Sequence, residues 1–534
     1  MNISRNNILR SHKELFLLLF IAALLGFYKL GERPLPVNQD ELSNIYDAYS
    51  ISKTGSDRFG HKYPVVLEGF GKADYRPSLY AWLSVIPIKI RGLSVTSGRS
   101  ISVICFIGCV LFLYLSSLLL FGKPTAFITS IIFIFSPWSW FFARIAHEGA
   151  MLPSLFIAAT LYLFIRVYKE KHHQYLYFIL LGFTIGFSTN AYQSSRLIAF
   201  LVAFLVFIFL VFETIEQKNK KIFLFIIACF VGAAPQIYIF IFYPDLFYGR
   251  YHSVQINQGD AFENVYTFIN NIYTDLSPEF LFFGFGKTNS ISISRFLEIE
   301  SIFFYTGLIS IFTINKSQNR KIALFLVLLL ITTIVPCSLT DHNPNALRLS
   351  CMLLVCPIFI GAGFHFFVIK IKNDLIRNGV ILSAIITIII SFNIQYNKYK
   401  HNQTAYDNDQ QNNLVQLSQR LNTCYKKYDT IFFEESGNQP YIYFLFYCHI
   451  EPLTFRSMDK IHDNSIEFYT YEKMGNFYFI SYDDILKFKN ETHSNNLIIS
   501  THYPHELNIK DSVVTTETIY YFSENKKSEN IKPL

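Results

Sequence analysis

Residues 31–50 read GERPLPVNQDELSNIYDAYS, and residues 136–153 read SPWSWFFARIAHEGAMLP. The first stretch places Asp40 and Glu41 directly after the first long apolar run of the chain. The second places Arg144, His147 and Glu148 directly after the third. Ionised side chains at a bilayer edge are costly, and by default they mark a functional site. If the apolar runs cross a membrane in turn, both acidic motifs leave it on the same side.

The composition supports that premise. The chain has 534 residues, 51% of them apolar and only 16% charged, where soluble domains carry about 25%. Runs near the length needed to cross a bilayer recur at 14–30, 100–121, 125–142, 150–167, 175–191, 196–213, 222–243, 297–314, 322–338, 349–369 and 377–393. The expected fold class is thus a polytopic α-helical membrane protein of about eleven spans. Alternate short loops are basic, among them Lys218, Lys220 and Lys221, then Lys316, Arg320 and Lys321. The positive-inside rule puts these loops and the N-terminus in the cytoplasm of an inner or plasma membrane and the C-terminus outside. The formal charge of +7 reports this topology and not a nucleic-acid surface. Arg5, Arg10 and Lys13 precede the first run without a small-residue cleavage site, so that run reads as a retained helix.

Two domains are expected: a transmembrane domain over 1–393, with outer loops at 31–99 and 244–296, and an extracytoplasmic α/β domain over 394–534. Leu42, Ile45, Tyr46 and Tyr49 repeat at helical spacing and predict a helix lying on the membrane surface, with a second over Pro77–Ile90. In the tail, Thr430–Glu434, Phe477–Ser481 and Asn496–Ser500 read as strands of a small sheet and Gln411–Leu421 as a helix, with Ser523–Leu534 frayed. Six of the eight cysteines lie in apolar stretches; Cys424 and Cys448 are the two in the outer tail, and they form a disulfide candidate.

The polar groups of the outer turns are the candidate site. Asp40 suits a general base. Glu41 fits either a second catalytic acid or a helix cap satisfying free N–H groups. Lys72 and Arg76, in GKADYRPSLYAWL, fit a departing phosphate or ordinary lipid headgroups. Arg144, His147 and Glu148 read as part of the same site or as an interfacial salt bridge. Tyr192, Gln193 and Arg196 cap one further turn, as site groups or as an aromatic belt with a snorkelling arginine. Asp341, His342 and Arg348 fill another, where a basic residue outside asks for an anionic partner. His147-Glu148 lacks the spacing of a metal motif. Four turns converging on one face are what an active site at the membrane surface requires.

At these residues the chain resembles the GT-C superfamily of membrane glycosyltransferases, closest to the branch holding protein O-mannosyltransferases and the aminoarabinose transferases that modify lipid A. VNQDE, DYRPSLYAWL, ARIAHEG and IVPCSLTDHNPNALR carry the likeness, with LSPEFLFFGFGKTNS in the long loop. The resemblance implies a polyprenyl-phosphate sugar donor, an acceptor that is a lipid such as lipid A, a glycan or a protein, and no required cofactor, with a divalent metal left open. It implies Asp40 as the base on the acceptor and Glu148 as the second acid. Arg76 stands where relatives often carry Lys before Pro, and Ser78 replaces their second proline. The competing readings are an O-antigen ligase or polymerase, which also takes lipid-linked donors, and a transporter or flippase. A transporter calls for charges in mid-helix and paired repeats, whereas the charges here cluster at one face.

Overall fold

The computed structural model describes residues 13–34, 37–71, 74–169, 174–212, 217–256, 259–284, 294–313, 317–401, 409–434, 439–462, 471–489, 495–503, 508–514 and 519–524. Every expected span coincides with helix. The helices are Lys13–Phe27, Val95–Phe121, Lys123–Ile134 with Pro137–Phe142, Leu152–Lys169, Gln174–Ser188, Gln193–Val211, Lys218–Phe242, Glu300–Ser310, Ser317–Ser338, Met352–Val368 and Asp374–His401. Those beginning at Val95, Leu152, Gln193, Lys218, Ser317 and Asp374 are each long and apolar enough to cross a membrane unaided. The protein is a multi-pass membrane protein. The third expected span is broken at Phe135-Ser136, where Pro137 restarts the chain as a short second helix. Close approach through small residues packs the helices: a Cβ added at Gly307 would lie 1.8 Å from the Phe359 carbonyl oxygen.

The first loop folds over the helix ends. It holds the helix Gln39–Thr54, a hairpin of β1 (Val66–Glu68) and β2 (Tyr75–Pro77), and the helix Leu79–Arg91. Leu67 pairs with Arg76 in the hairpin register. The Gln39–Thr54 helix does not lie on the membrane surface as its apolar spacing suggests. Every residue from Glu41 to Ile51 is buried, because the C-terminal part covers its other side. Tyr46 Oη donates to the Ile450 carbonyl at 2.7 Å and Tyr49 Oη to Glu451 at 2.8 Å. Arg456 reaches Ser50 Oγ at 2.8 Å and Thr54 Oγ1 at 2.9 Å. Leu79–Arg91 does keep an exposed apolar side, at Ile86 and Ile90.

The C-terminal part contains the expected sheet. With β3 (Thr430–Glu434), β4 (Lys460–His462), β5 (Tyr471–Met474), β6 (Phe477–Ile480), β7 (Asn496–Ser500), β8 (Asn508–Val514) and β9 (Ile519–Glu524), its order is β4-β5-β6-β3-β7-β9-β8. β3 runs parallel to both β6 and β7. The expected helix is present as Asp409–Leu421. Ser523 and Glu524 end β9 and are not frayed; residues 525–534 lie outside the described residues. The disulfide expectation is corrected too, since Cys424 and Cys448 are both free thiols. Cys448 is buried and turned to the Ser418 carbonyl, while Cys424 faces the Arg420 and Leu421 carbonyls.

One buried ion pair fixes the start of the Gln39–Thr54 helix. Arg99, at the head of the Val95–Phe121 helix, meets Glu41 through Nε at 2.8 Å and Nη2 at 3.0 Å, and both side chains are buried. Removing one partner strands the other charge. Arg99→Leu is therefore expected to cost about 3–5 kcal/mol, read as a lowered melting midpoint of the detergent-solubilised protein. An unchanged midpoint would show that the pair is structurally idle.

Candidate active site

Asp40 lies in the first turn of the Gln39–Thr54 helix. Asn38 caps that helix, accepting from the Asp40 N–H at 2.7 Å, and Glu41 reaches back to the Asn38 N–H in a capping box. Glu41 also accepts from the Ala146 N–H at 2.7 Å. It is a cap and an ion-pair partner, fully engaged, and is not free for chemistry. Its contact with Ala146 brings the turn carrying His147 and Glu148 against the helix that carries Asp40. Asn44, one turn further on, donates to Glu148 Oε2 at 2.7 Å and to the Ala146 carbonyl at 3.2 Å.

Arg76 enters from β2. It is buried, donates to Ser43 Oγ, and lies 3.6 Å from Asp47 Oδ2. Asp47 in turn holds the wholly buried Arg58, which donates to the Glu68 carbonyl of β1 at 2.9 Å. Asp40, Ser43 and Asp47 occupy one helix face at helical spacing, so the face that presents the acid also orients Arg76.

Around Asp40 the charged groups felt most strongly are His147, Arg76, Asp74 and Glu148. Burial lifts the Asp40 carboxyl above the ordinary carboxylate range, and His147 and Arg76 offset this only in part. Burial pushes Glu148 the same way, but His147, Arg76 and the Asn44 amide outweigh it and leave Glu148 below the ordinary range. Two neighbouring acids thus differ in proton affinity, the pattern that separates acid and base roles. His147 Nδ1 lies 3.0 Å from the Gly149 N–H, which ties the ring to its own turn; at 3.6 Å its approach to Glu148 is not a hydrogen bond.

Tyr192 packs against the turn that carries His147 and Glu148. Its ring meets the His147 ring edge-on at 6.0 Å. A Cβ at position 149 would lie 2.9 Å from the Tyr192 ring, so Gly149 is what lets the ring in. Burial pushes the Tyr192 hydroxyl up to about 12, with Arg348 pulling it down and Glu148 adding to the rise. Arg250 and Asp74 also act on it. Gln193 donates to the Tyr75 carbonyl at 2.6 Å, tying this turn to β2.

Several expected site residues have other tasks. Arg144 is buried and donates to the Leu25 and Gly26 carbonyls, both at 2.8 Å, and to those of Tyr28 and Arg33. It clamps the free carbonyls at the end of the first helix. Arg196 donates to the Phe247 carbonyl at 2.6 Å and stacks on its ring at 4.3 Å, seating the Pro244–Val254 helix. Asp341 and His342 are exposed at the tip of their turn. Arg348 has no carboxylate partner among the described residues; it donates to Thr340 Oγ1 at 2.7 Å and the His342 carbonyl at 3.4 Å. Lys72 lies outside the described residues.

Two members were not foreseen from sequence. Asp74 and Arg250 approach each other at 3.8 Å, the first two positions before Arg76 and the second in the Pro244–Val254 helix. Arg250 and Arg348 stand on elements stitched together: the Asp341 N–H donates to the Val254 carbonyl at 3.0 Å, and the Ile256 N–H to that of Leu339 at 3.2 Å. Asp74 had a sequence signal in its nearness to Arg76; Arg250 had none.

Comparison with known proteins agrees with the resemblance. Residues 75–239 match the family model described as dolichyl-phosphate-mannose-protein mannosyltransferase. The fold matches ArnT from Cupriavidus metallidurans bound to undecaprenyl phosphate, with a TM-score of 0.62 and 11% identity over 97% of this chain and 99% of that one. The apo state of ArnT matches with the same values. The Archaeoglobus fulgidus oligosaccharyltransferase tethered to an acceptor peptide matches at a TM-score of 0.48 and 13% identity, over 83% of this chain and 64% of that one. A search of curated proteins found no sequence match. The chain thus has the fold of ArnT, and its residues 75–239 resemble the mannosyltransferase family.

The two acids should separate in thermal unfolding. Ionising half-buried Asp40 costs the folded state, and that cost is present above its raised folded value and absent below the unfolded value of about 3.9. Asp40→Asn is expected to raise the midpoint at about pH 7.5, with the gain fading as pH falls. Glu148 is depressed, so its contribution is present above its unfolded value and is lost as pH falls through the folded one; Glu148→Gln is expected to lower the midpoint at about pH 7.5. Equal shifts of one sign would contradict this assignment.

Proposed function

We propose that this protein transfers a sugar from a polyprenyl-phosphate carrier to an acceptor hydroxyl or amine on a lipid, a glycan or a protein, at the membrane face opposite the basic loops. The observation that carries this reading is that the helix face presenting Asp40 also orients buried Arg76, while Asn44 of the same helix holds Glu148. The solved ArnT binds undecaprenyl phosphate on a fold of this kind, which supports a lipid-phosphate donor here.

In this mechanism Asp40 takes the acceptor proton as the acceptor atom bonds to the anomeric carbon. The bond from that carbon to the phosphate oxygen breaks, and the electron pair leaves on the phosphate. Arg76 meets that charge with guanidinium donors whose geometry suits phosphate, and Arg250 and Arg348 supply further positive charge. Glu148, ionised and held by Asn44, stabilises positive charge developing on the sugar or orients the acceptor. A transporter reading is less well supported, because these charges gather in turns at one end of the helices and not within spans.

Turnover of a purified polyprenyl-phosphate sugar tests the roles. Asp40→Asn is expected to lose about 10²–10⁴-fold in rate while inserting normally, and Arg76→Ala to impair donor use most. Near-normal turnover by Asp40→Asn would remove it as the base.

A further inference from the structure

The helix Ala261–Asp275 carries three distinct stripes. Phe262, Val265, Tyr266, Ile269 and Tyr273 recur at helical spacing on one side and are 57–78% exposed. Glu263, Thr267, Asn270 and Thr274 recur beside them as a purely polar flank. The remaining side faces the protein. There Asn271 donates to the Ser338 carbonyl at 3.0 Å and the Thr340 carbonyl at 3.3 Å, and Asp275 accepts from Ser338 Oγ and Asn343 Nδ2, both at 2.9 Å.

A helix with one protein face, one apolar face and one polar flank is shaped for a boundary between oil and water. Its place in the chain agrees. It lies between the Lys218–Phe242 helix and the Glu300–Ser310 helix. The ends of those helices next to it are themselves apolar and exposed, at Ile241, Phe242 and Tyr243 and at Ile299 and Ile302. The stripe thus shares the exposed apolar character of the span ends that flank it in sequence. Two of its five members are tyrosines, the residue enriched where the apolar core meets headgroups.

We propose that Ala261–Asp275 lies in the membrane surface on the side of the candidate site, its apolar stripe inserted among the lipids and its polar flank in water. The partner is the lipid surface itself. The consequence reaches the site, because the protein face of this helix binds the turn whose Thr340 holds Arg348. The bilayer so braces one of the arginines assigned to the phosphate above, although the placement of the helix does not depend on that assignment.

Single tryptophans read this placement. Ile269→Trp and Tyr273→Trp, on the stripe, and Asn270→Trp, on the flank, are reconstituted as full chains into vesicles of phosphatidylcholine with brominated acyl chains, and quenching above that of the wild-type protein is measured. Both stripe tryptophans are expected to be quenched at least twofold more than the flank tryptophan. Quenching equal on the two stripes, or strongest at position 270, would overturn the proposal. So would stripe tryptophans shielded from the brominated lipid, as they would be under a second copy of the chain or a protein partner.

Discussion

Glu41 holds the candidate site together. Its carboxylate meets Arg99 from the longest early helix, the Ala146 N–H from the turn after the third apolar run, and the Asn38 N–H of its own cap. Three segments distant in sequence are thereby joined at one buried charge. Arg99 also donates to the Leu30 carbonyl at 3.2 Å, and Arg144 binds four carbonyls nearby, so the exit of the first helix is fixed as well. A buried pair of this kind adds little net stability but is expensive to break. Its use here is to define register: it sets where Asp40 lies relative to Glu148.

On that frame, each candidate side chain is supported by a polar neighbour. Asn44 holds Glu148, Ser43 and Asp47 hold Arg76, and Arg58 neutralises Asp47 while reaching β1. Such support keeps charge-bearing groups oriented in a partly dry site, where orientation decides how strongly a developing charge is stabilised. The covering helices Pro440–Tyr447 and Pro452–Ser457 add a lid over the Gln39–Thr54 helix, with Tyr443 Oη on the Val37 carbonyl at 3.1 Å.

The spans were legible in sequence because apolar length is a direct signal. So were β3, β6 and β7, whose continuous apolar runs suit strands buried on both faces, whereas β4, β5, β8 and β9 pair antiparallel toward the sheet's edges and blur into loop. Asp40, Arg76 and Glu148 stand out in sequence as candidates because of their cost at the membrane edge. Their close neighbours were less legible: sequence left Glu41 open between a catalytic acid and a cap, and nothing in it marked Arg144 as a clamp on the first helix. The apolar spacing of Leu42–Tyr49 was real, but spacing cannot say whether lipid or a second domain covers a helix. Arg250 was hidden for a related reason, since one arginine in a polar loop carries no mark of the space into which it folds.

The central proposal is that the phosphate of a lipid carrier rests on Arg76, within reach of Asp40. A cryo-electron microscopy structure of the protein in lipid nanodiscs with bound polyprenyl phosphate tests it directly. The account predicts phosphate density contacting the Arg76 guanidinium, with Asp40 and Glu148 lining the space beside it. Phosphate density at the basic loops of the opposite membrane face, or seated away from Arg76 with that side chain still closed on Ser43 and Asp47, would contradict it.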